Sequence, residues 1–226
     1  MIPLKDDVPS RIHPIVNWTL ILINVIVFLW EIMLPSSVRE NIIFNFGVVP
    51  YRFLKSQLLS YGILSLFTSM FLHGSWSHLI GNMLFLYIFG DNVEDAMGHF
   101  RYLIFYILAG AFAGIVQVIF SRDLYTPAIG ASGAIAGVLG AYFRFFPRAR
   151  ILTMAVLGFF LEFIYIPAFF YLGIWFLMQL LSGVFSSLML DFSGGVAWWA
   201  HVGGFSFGLF SSKIFRKKGK FPFYYY

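Results

Sequence analysis

The 226-residue sequence is 60% hydrophobic and 11% charged, with a mean hydropathy of +0.83, which excludes a water-soluble globule because too little polar surface exists to cover one. Cysteine is absent from the sequence, so disulfides, thiolate metal sites and cysteine nucleophiles are excluded as well. The net charge of +5 resides in short loops and in the terminal run KIFRKKGK, a distribution that fits membrane orientation better than nucleic-acid binding.

The length matches a single domain over residues 1–226, with a core at about 18–215 and a basic tail at 216–226. The fold class expected is an all-α membrane protein, a bundle of about six spanning helices at ~20 residues each. The N-terminal stretch MIPLKDDVPSRIHP is polar and mixed in charge, and no small-residue cleavage site follows the first apolar run, so the first helix is expected to remain as an anchor. That helix runs from about Trp18 to Leu34, with Trp18 and Trp30 at its interfaces and Pro35 ending it.

A long connection from Ser36 to Ser77 follows, too interrupted by charge and glycine for one clean span, and is expected to lie in the membrane interface. The second span begins near Trp76 and ends at Asp91, Glu94 and Asp95; the third covers Phe100 to Phe120. The fourth opens at Ser132 and stops by Pro147, short for a bilayer. Residues 151–190 hold one acidic residue before Leu190, Glu162, with Gly158, Pro167 and Gly173 as breakers, and could cross once or twice. The last span lies near Ala200 to Ile214.

Charge decides the count. One crossing in the ambiguous stretch puts Lys5, Arg11, Arg101, Arg144, Arg148, Arg150 and five tail residues inside, and Arg39, Arg52, Lys55 and Arg122 outside. Two crossings would send the five tail residues outside. Six helices result, with both termini cytoplasmic, the fifth span at about Ile166 to Ser187, and Ile151 to Tyr165 an interfacial or partly inserted connection.

Polar groups at membrane depth are costly and invite a functional reading. Taken singly, His78, Asn82, Ser132 and His201 read first as helix-packing residues, and Gly133 with Gly137 or Gly204 with Gly208 as small-residue contacts. Topology changes this: His78 opens the second span, Ser132 the fourth and His201 the sixth, so the three lie at similar depth below the outer surface. A serine hydroxyl needs a base, and histidine is the usual one. The oxyanion of attack on an amide needs fixed donors, which a helix N-terminus and the pair His78 and Asn82, four apart on one face, can supply.

These residues resemble the motifs of the rhomboid family of intramembrane serine proteases, read here as His78-Leu-Ile-Gly-Asn82, Gly130-Ala-Ser132-Gly133 and Ala200-His201-Val-Gly-Gly204. The resemblance is to the six-helix prokaryotic type and extends over about Trp18 to Phe215. It implies an outward-opening cavity in the cell membrane and a Ser–His dyad with Ser132 as nucleophile and His201 as base and acid. It places His78, Asn82 and the Ser132 N–H in the oxyanion hole, with single-span membrane proteins as substrates and no metal or cofactor. It also implicates the fifth helix and the loop from Leu188 to Trp199 in access, with Gly194 and Gly195 for mobility and Trp198 and Trp199 as apolar cover.

Two departures stand out. Tyr51-Arg52 replaces the Trp-Arg pair some members carry, which changes how the first loop is anchored, and Ala136 occupies the position of an aromatic residue that stacks on the histidine in some members, so His201 is either held less tightly or braced from elsewhere. By the same resemblance Glu94 with Gly98 ties the second helix end to its loop; read from the residues themselves, His73 is expected to support loop geometry, Gln117, Glu162 and Asp191 to be structural, and the many phenylalanines to face lipid. A non-enzymatic relative that binds transmembrane segments is the alternative. A channel or transporter lacks support for want of polar residues through the bilayer or an internal repeat. No His-Glu-x-x-His motif suggests a metalloprotease.

Overall fold

Prolines set the boundaries of the N-terminal third. The computed structural model describes residues 1–55, 58–157, 160–189 and 195–217. After a strand, β1 (Ile2–Asp6), helix α1 (Ile15–Met33) follows Pro14, and α2 (Ser36–Phe46) follows Pro35; α3 (Pro50–Leu54) has proline as its first residue, where the missing N–H costs nothing. Helix α4 (Leu59–Thr68) and a 3₁₀ turn (Ser69–Phe71) complete the first connection.

Then come α5 (Trp76–Met97), α6 (His99–Phe120) and α7 (Ser132–Phe145), a hairpin of β2 (Arg150–Leu157) and β3 (Phe160–Pro167), and finally α8 (Ala168–Met189) and α9 (Trp198–Phe215). Three helices, α1, α6 and α8, are long and apolar enough to cross a membrane among the described residues. Asp191, Gly194 and the tail beyond Lys217 lie outside the described residues, as does Gly158.

Helix α1 displays the logic of the solvent. Asn17, Asn24 and Glu31, seven apart, are buried with Leu20 and Phe28, whereas Ile15, Trp18, Leu22, Ile26 and Met33 are exposed. Polar groups face the protein and apolar groups face outward, as a hydrocarbon solvent requires. Pro14 offers the α1 N-terminus no side-chain cap. Glu94 of α5 supplies one instead, accepting the Val16 N–H at 3.0 Å and the Asn17 N–H at 2.7 Å, while Asn17 donates to the Leu86 carbonyl and accepts from the Tyr102 hydroxyl.

The all-α expectation needs correction. A three-stranded antiparallel sheet in the order β1-β2-β3 joins the N-terminal segment to residues 150–167, with Ile2 opposite Met154, Asp6 opposite Ile151 and Arg150 opposite Pro167. The stretch expected to be an interfacial or inserted connection is a hairpin, because β-branched and aromatic residues favour strands and β1 supplies a partner. Aspartates secure the sheet in two ways: Asp7 pairs with the guanidinium of Arg150 in β2 at 3.0 Å, closing the β1–β2 edge, and Asp6 accepts the hydroxyl of Tyr142 in α7 at 2.5 Å, fastening the sheet to the bundle. Burial pushes the Asp6 carboxyl up to about 7; the Tyr142 hydrogen bond opposes this, and Asp91 and Asp7 add to it.

The phenylalanines also divide. Phe100, Phe160, Phe169, Phe170 and Phe210 are exposed, but Phe28, Phe89, Phe105, Phe145 and Phe205 are core residues, so the expectation that the phenylalanines face lipid fails for these buried ones.

At the centre lie α7 and α9, in close and parallel contact. A Cβ added to Gly204 would overlap the Gly133 carbonyl, and one added to Gly208 the Gly137 carbonyl. The register advances in the same direction on both helices, so Ser132 and His201 start out at the same end of the bundle. On its other flank α7 runs antiparallel to α6, with Gly133 against Ala113 and Gly137 against Ala109. Small residues on these faces bring the backbones together.

Candidate active site

Gly130 explains the small-residue run before Ser132. Its φ is +113°, a region L side chains rarely adopt, and a Cβ there would lie 2.5 Å from His78 Nε2 and 3.5 Å from Asn82 Nδ2. The segment is pinned by the Gly130 N–H donating to the Ser69 carbonyl and by reciprocal bonds between Val48 and Ala128. The chain then turns into α7, with Ser132 as its first residue. The Ile135 N–H donates to the Ala131 carbonyl, which leaves the N–H groups of Ser132 and Gly133 beyond the reach of intrahelical acceptors.

His201 is the fourth residue of α9, and its Nε2 lies 2.8 Å from Ser132 Oγ. Its other nitrogen, Nδ1, lies 2.7 Å from Oε1 of Gln179, a buried residue of α8. An amide oxygen can only accept, so Nδ1 carries the proton and Nε2 is left to accept from the serine hydroxyl. Trp175, one turn before Gln179, lies against the imidazole at a centroid distance of 5.9 Å and 33° between planes, and Trp198 meets it edge-on at 6.2 Å. The brace missing at Ala136 therefore comes from α8 and the start of α9.

On α5, Ser75 caps the helix by accepting the His78 N–H. His73 Nε2 lies 3.0 Å from Asn82 Nδ2. Burial, with His78 nearby, holds His73 down at about 4, so near neutral pH its ring is uncharged; Nε2 accepts one amide hydrogen of Asn82 and leaves the other free. Glu31 accepts the His73 backbone N–H at 3.1 Å, and Arg39 donates to the His73 and Gly74 carbonyls, fixing the loop. Arg52 of the Tyr51-Arg52 pair donates to the Asn45 carbonyl at 2.7 Å, anchoring α3 to the end of α2.

His78, Asn82, Ser132 and His201 all line one cavity of about 500 Å³, together with Ser75, Ser77 and an apolar wall that includes Phe85, Ile135, Leu139 and Trp175. The four polar residues singled out from sequence thus come together. Gln179 and Trp175 did not emerge from sequence, since an amide and a tryptophan in an apolar helix read as packing. Gln117 accepts the Ala200 N–H and holds α6 to the start of α9, and Trp199 donates from Nε1 to Ser187 of α8.

A helical bundle with apolar outer faces and a hydroxyl–imidazole pair in a partly polar cavity has the build of an integral membrane protein. The chain belongs to the rhomboid family: the family model of the Rhomboid domain matches residues 61–218. It is 33% identical over 139 residues to rhomboid protease AarA of Providencia stuartii, covering 54% of this chain and 48% of that protein. It is 28% identical over 196 residues to the human mitochondrial presenilin-associated rhomboid-like protein, covering 82% and 44% respectively. Against mitochondrial rhomboid protein 1 of Saccharomyces cerevisiae it is 33% identical over 140 residues, covering 60% and 38%. The chain spans about half or less of the length of these curated relatives.

Proposed function

We propose that the protein is an intramembrane serine endopeptidase that cleaves single-span membrane proteins in or near their transmembrane segments. The observation that carries this reading is the 2.8 Å contact between Ser132 Oγ and His201 Nε2 inside a cavity with one polar and one apolar side. His201 Nε2 takes the hydroxyl proton as Ser132 Oγ bonds to the scissile carbonyl carbon. The oxygen of that carbonyl becomes an oxyanion, held by the Ser132 N–H and the side chains of His78 and Asn82. Collapse expels the amine, which receives the proton from His201, and leaves an acyl-enzyme; water, deprotonated by His201, then releases the carboxylic acid and regenerates the serine.

The chain acts as one domain. Helices α1, α5, α6, α7, α8 and α9 form its six spans, with α2 to α4 as an interfacial first loop. Helix α7, at 14 residues, is about 21 Å long, so the bilayer is thin around it or the cavity admits water at its start. Both termini lie inside, since Lys5, Arg11, Arg101, Arg144, Arg148 and Arg150 cluster toward the end of the bundle opposite Ser132. The site opens on the outer side of a prokaryotic cell membrane.

The test is Ser132-dependent cleavage of a panel of single-span substrates in liposomes, alongside labelling with a fluorophosphonate probe. Labelling and cleavage that vanish in Ser132→Ala and His201→Ala support the reading. Cleavage or labelling that persists in Ser132→Ala overturns the assignment, and an inert wild-type protein that still retains transmembrane peptides favours the non-enzymatic binder.

A further inference from the structure

We propose that Gln179 is a positioning residue for the base, the third member of a Ser132–His201–Gln179 chain, and that it ties the competence of His201 to the position of α8. This rests on the proteolytic reading above for its kinetic consequence, but the structural premise stands apart from it. The acceptor, Gln179 Oε1, lies 2.7 Å from Nδ1 on the face of the ring away from Ser132. An imidazole in water populates both neutral tautomers, and only the one with Nδ1 protonated can take the serine proton at Nε2. A buried amide oxygen at Nδ1 selects that tautomer and fixes the ring plane, the two roles a carboxylate performs in Ser–His–Asp sites.

Gln179 differs from a carboxylate in being uncharged. It stabilises the imidazolium formed during attack through its carbonyl dipole alone, and it avoids placing an isolated anion at membrane depth. The titratable neighbour of His201 is His78 from α5; facing it from the other packed elements are Ser132 of α7 and Trp175 and Gln179 of α8. No carboxylate approaches the ring among these groups.

Trp175 and Gln179 are one turn apart and so share one face of α8. Ring contact and the Nδ1 hydrogen bond on His201 thus depend together on α8, while α7 contributes the Ser132 hydroxyl at Nε2 and α9 the edge-on Trp198. Displacement of α8 from α9 breaks both contacts together and leaves the imidazole held by Ser132 and Trp198 alone, with nothing from α8 to fix the proton on Nδ1. The base is held in register only while α8 is seated.

The experiment uses the full chain in liposomes, with kcat and KM for a single-span substrate measured from pH 5.5 to 9 for wild type, Gln179→Leu, Gln179→Glu and Ser132→Ala. In Gln179→Leu, kcat is expected to fall about 10- to 100-fold with KM within about twofold, less than the ~10⁴-fold loss a wrong tautomer causes in Ser–His–Asp enzymes. Gln179→Glu keeps an acceptor at Nδ1, restores kcat to within several-fold, and moves the acidic limb of the kcat profile to higher pH because the carboxylate favours the imidazolium. Unchanged kcat in Gln179→Leu, or equal impairment of the Leu and Glu variants at every pH, overturns the proposal.

A second readout does not need turnover: ¹⁵N shifts of histidine-labelled protein should show His201 protonated at Nδ1 in wild type and exchanging between tautomers in Gln179→Leu. A wild type protonated at Nε2, or a Leu variant with unaltered shifts, overturns the proposal even if no substrate is cleaved. Failure of Ser132-dependent cleavage in wild type with the expected shifts would instead reject the proteolytic reading and leave the Gln179 contact intact.

Discussion

Gly204 of α9 packs directly against the backbone carbonyl of Gly133 in α7, one residue after the nucleophile candidate and three after the base candidate. A Cβ at Gly204 would overlap that carbonyl and come within 3.2 Å of the Ala136 side chain. The separation of two backbones, rather than any flexible side chain, thus sets the distance between hydroxyl and imidazole.

Gly204→Ala is therefore expected to push α9 from α7. The strain should cost about 1–3 kcal/mol of stability, and a displacement of ~1 Å at the dyad should lower turnover by ~10²-fold. Thermal unfolding in detergent measures the first effect and substrate cleavage the second. Wild-type values for both would show that the helices slide to accept the methyl group.

Asn82→Ala removes the amide that His73 orients toward Gly130. If that amide receives the oxyanion, kcat falls by ~10²- to 10³-fold with little change in KM. Fluorophosphonate labelling slows in parallel, because the probe's oxygen uses the same donor. Loss confined to KM would assign Asn82 to substrate binding.

Asp6→Asn tests the attachment of the N-terminal strand. Burial raises the folded-state carboxyl to about 7, well above its ordinary value, so the neutral acid is the favoured folded form. Its contribution to stability is present below about pH 4 and is lost as pH rises through 7, since the unfolded chain ionises first. Asparagine keeps an acceptor for the Tyr142 hydroxyl without the charge. Its advantage over wild type should be absent near pH 4 and reach about 2 kcal/mol, or roughly 4–8 °C in Tm, at pH 8. A Tm difference independent of pH would contradict the buried-acid account.

Glu94→Ala leaves the first turn of α1 without its cap, taking the acceptor from the N–H groups of Val16 and Asn17 and the partner from His99 Nδ1. A loss of about 2–4 kcal/mol is expected, with Glu94→Gln intermediate because its single carbonyl oxygen can still accept. Denaturation in mixed micelles resolves the order of the three proteins.

The four polar residues of the site were legible because each is expensive where it sits. Ser132, flanked by glycines, and His78, Asn82 and His201, in otherwise apolar helices, need a reason that Leu86 or Phe105 does not. Gln179 escaped notice because a single amide in a long apolar helix reads as an interhelical tie, and nothing local marks which partner it meets. The approximate bounds of α5 to α9 followed from where apolar runs meet charge or proline, as at Asp91 to Asp95 near the end of α5, Pro147 after α7 and Pro167 before α8. The sheet did not, because the partner of Arg150–Leu157 is more than 140 positions earlier; residues 151–166 alone carry an apolar run that a membrane reading absorbs equally well.

The sheet makes two distant stretches of the chain meet. Ile2 to Asp6 can find Ile151 to Met154 only after α1, α5, α6 and α7 have been made, so β1 waits for this partner until four helices have been added. Closing so long a loop is a late event, and the bond from Tyr142 to Asp6, which ties β1 to the helix bearing Ser132, can form only once that loop has closed.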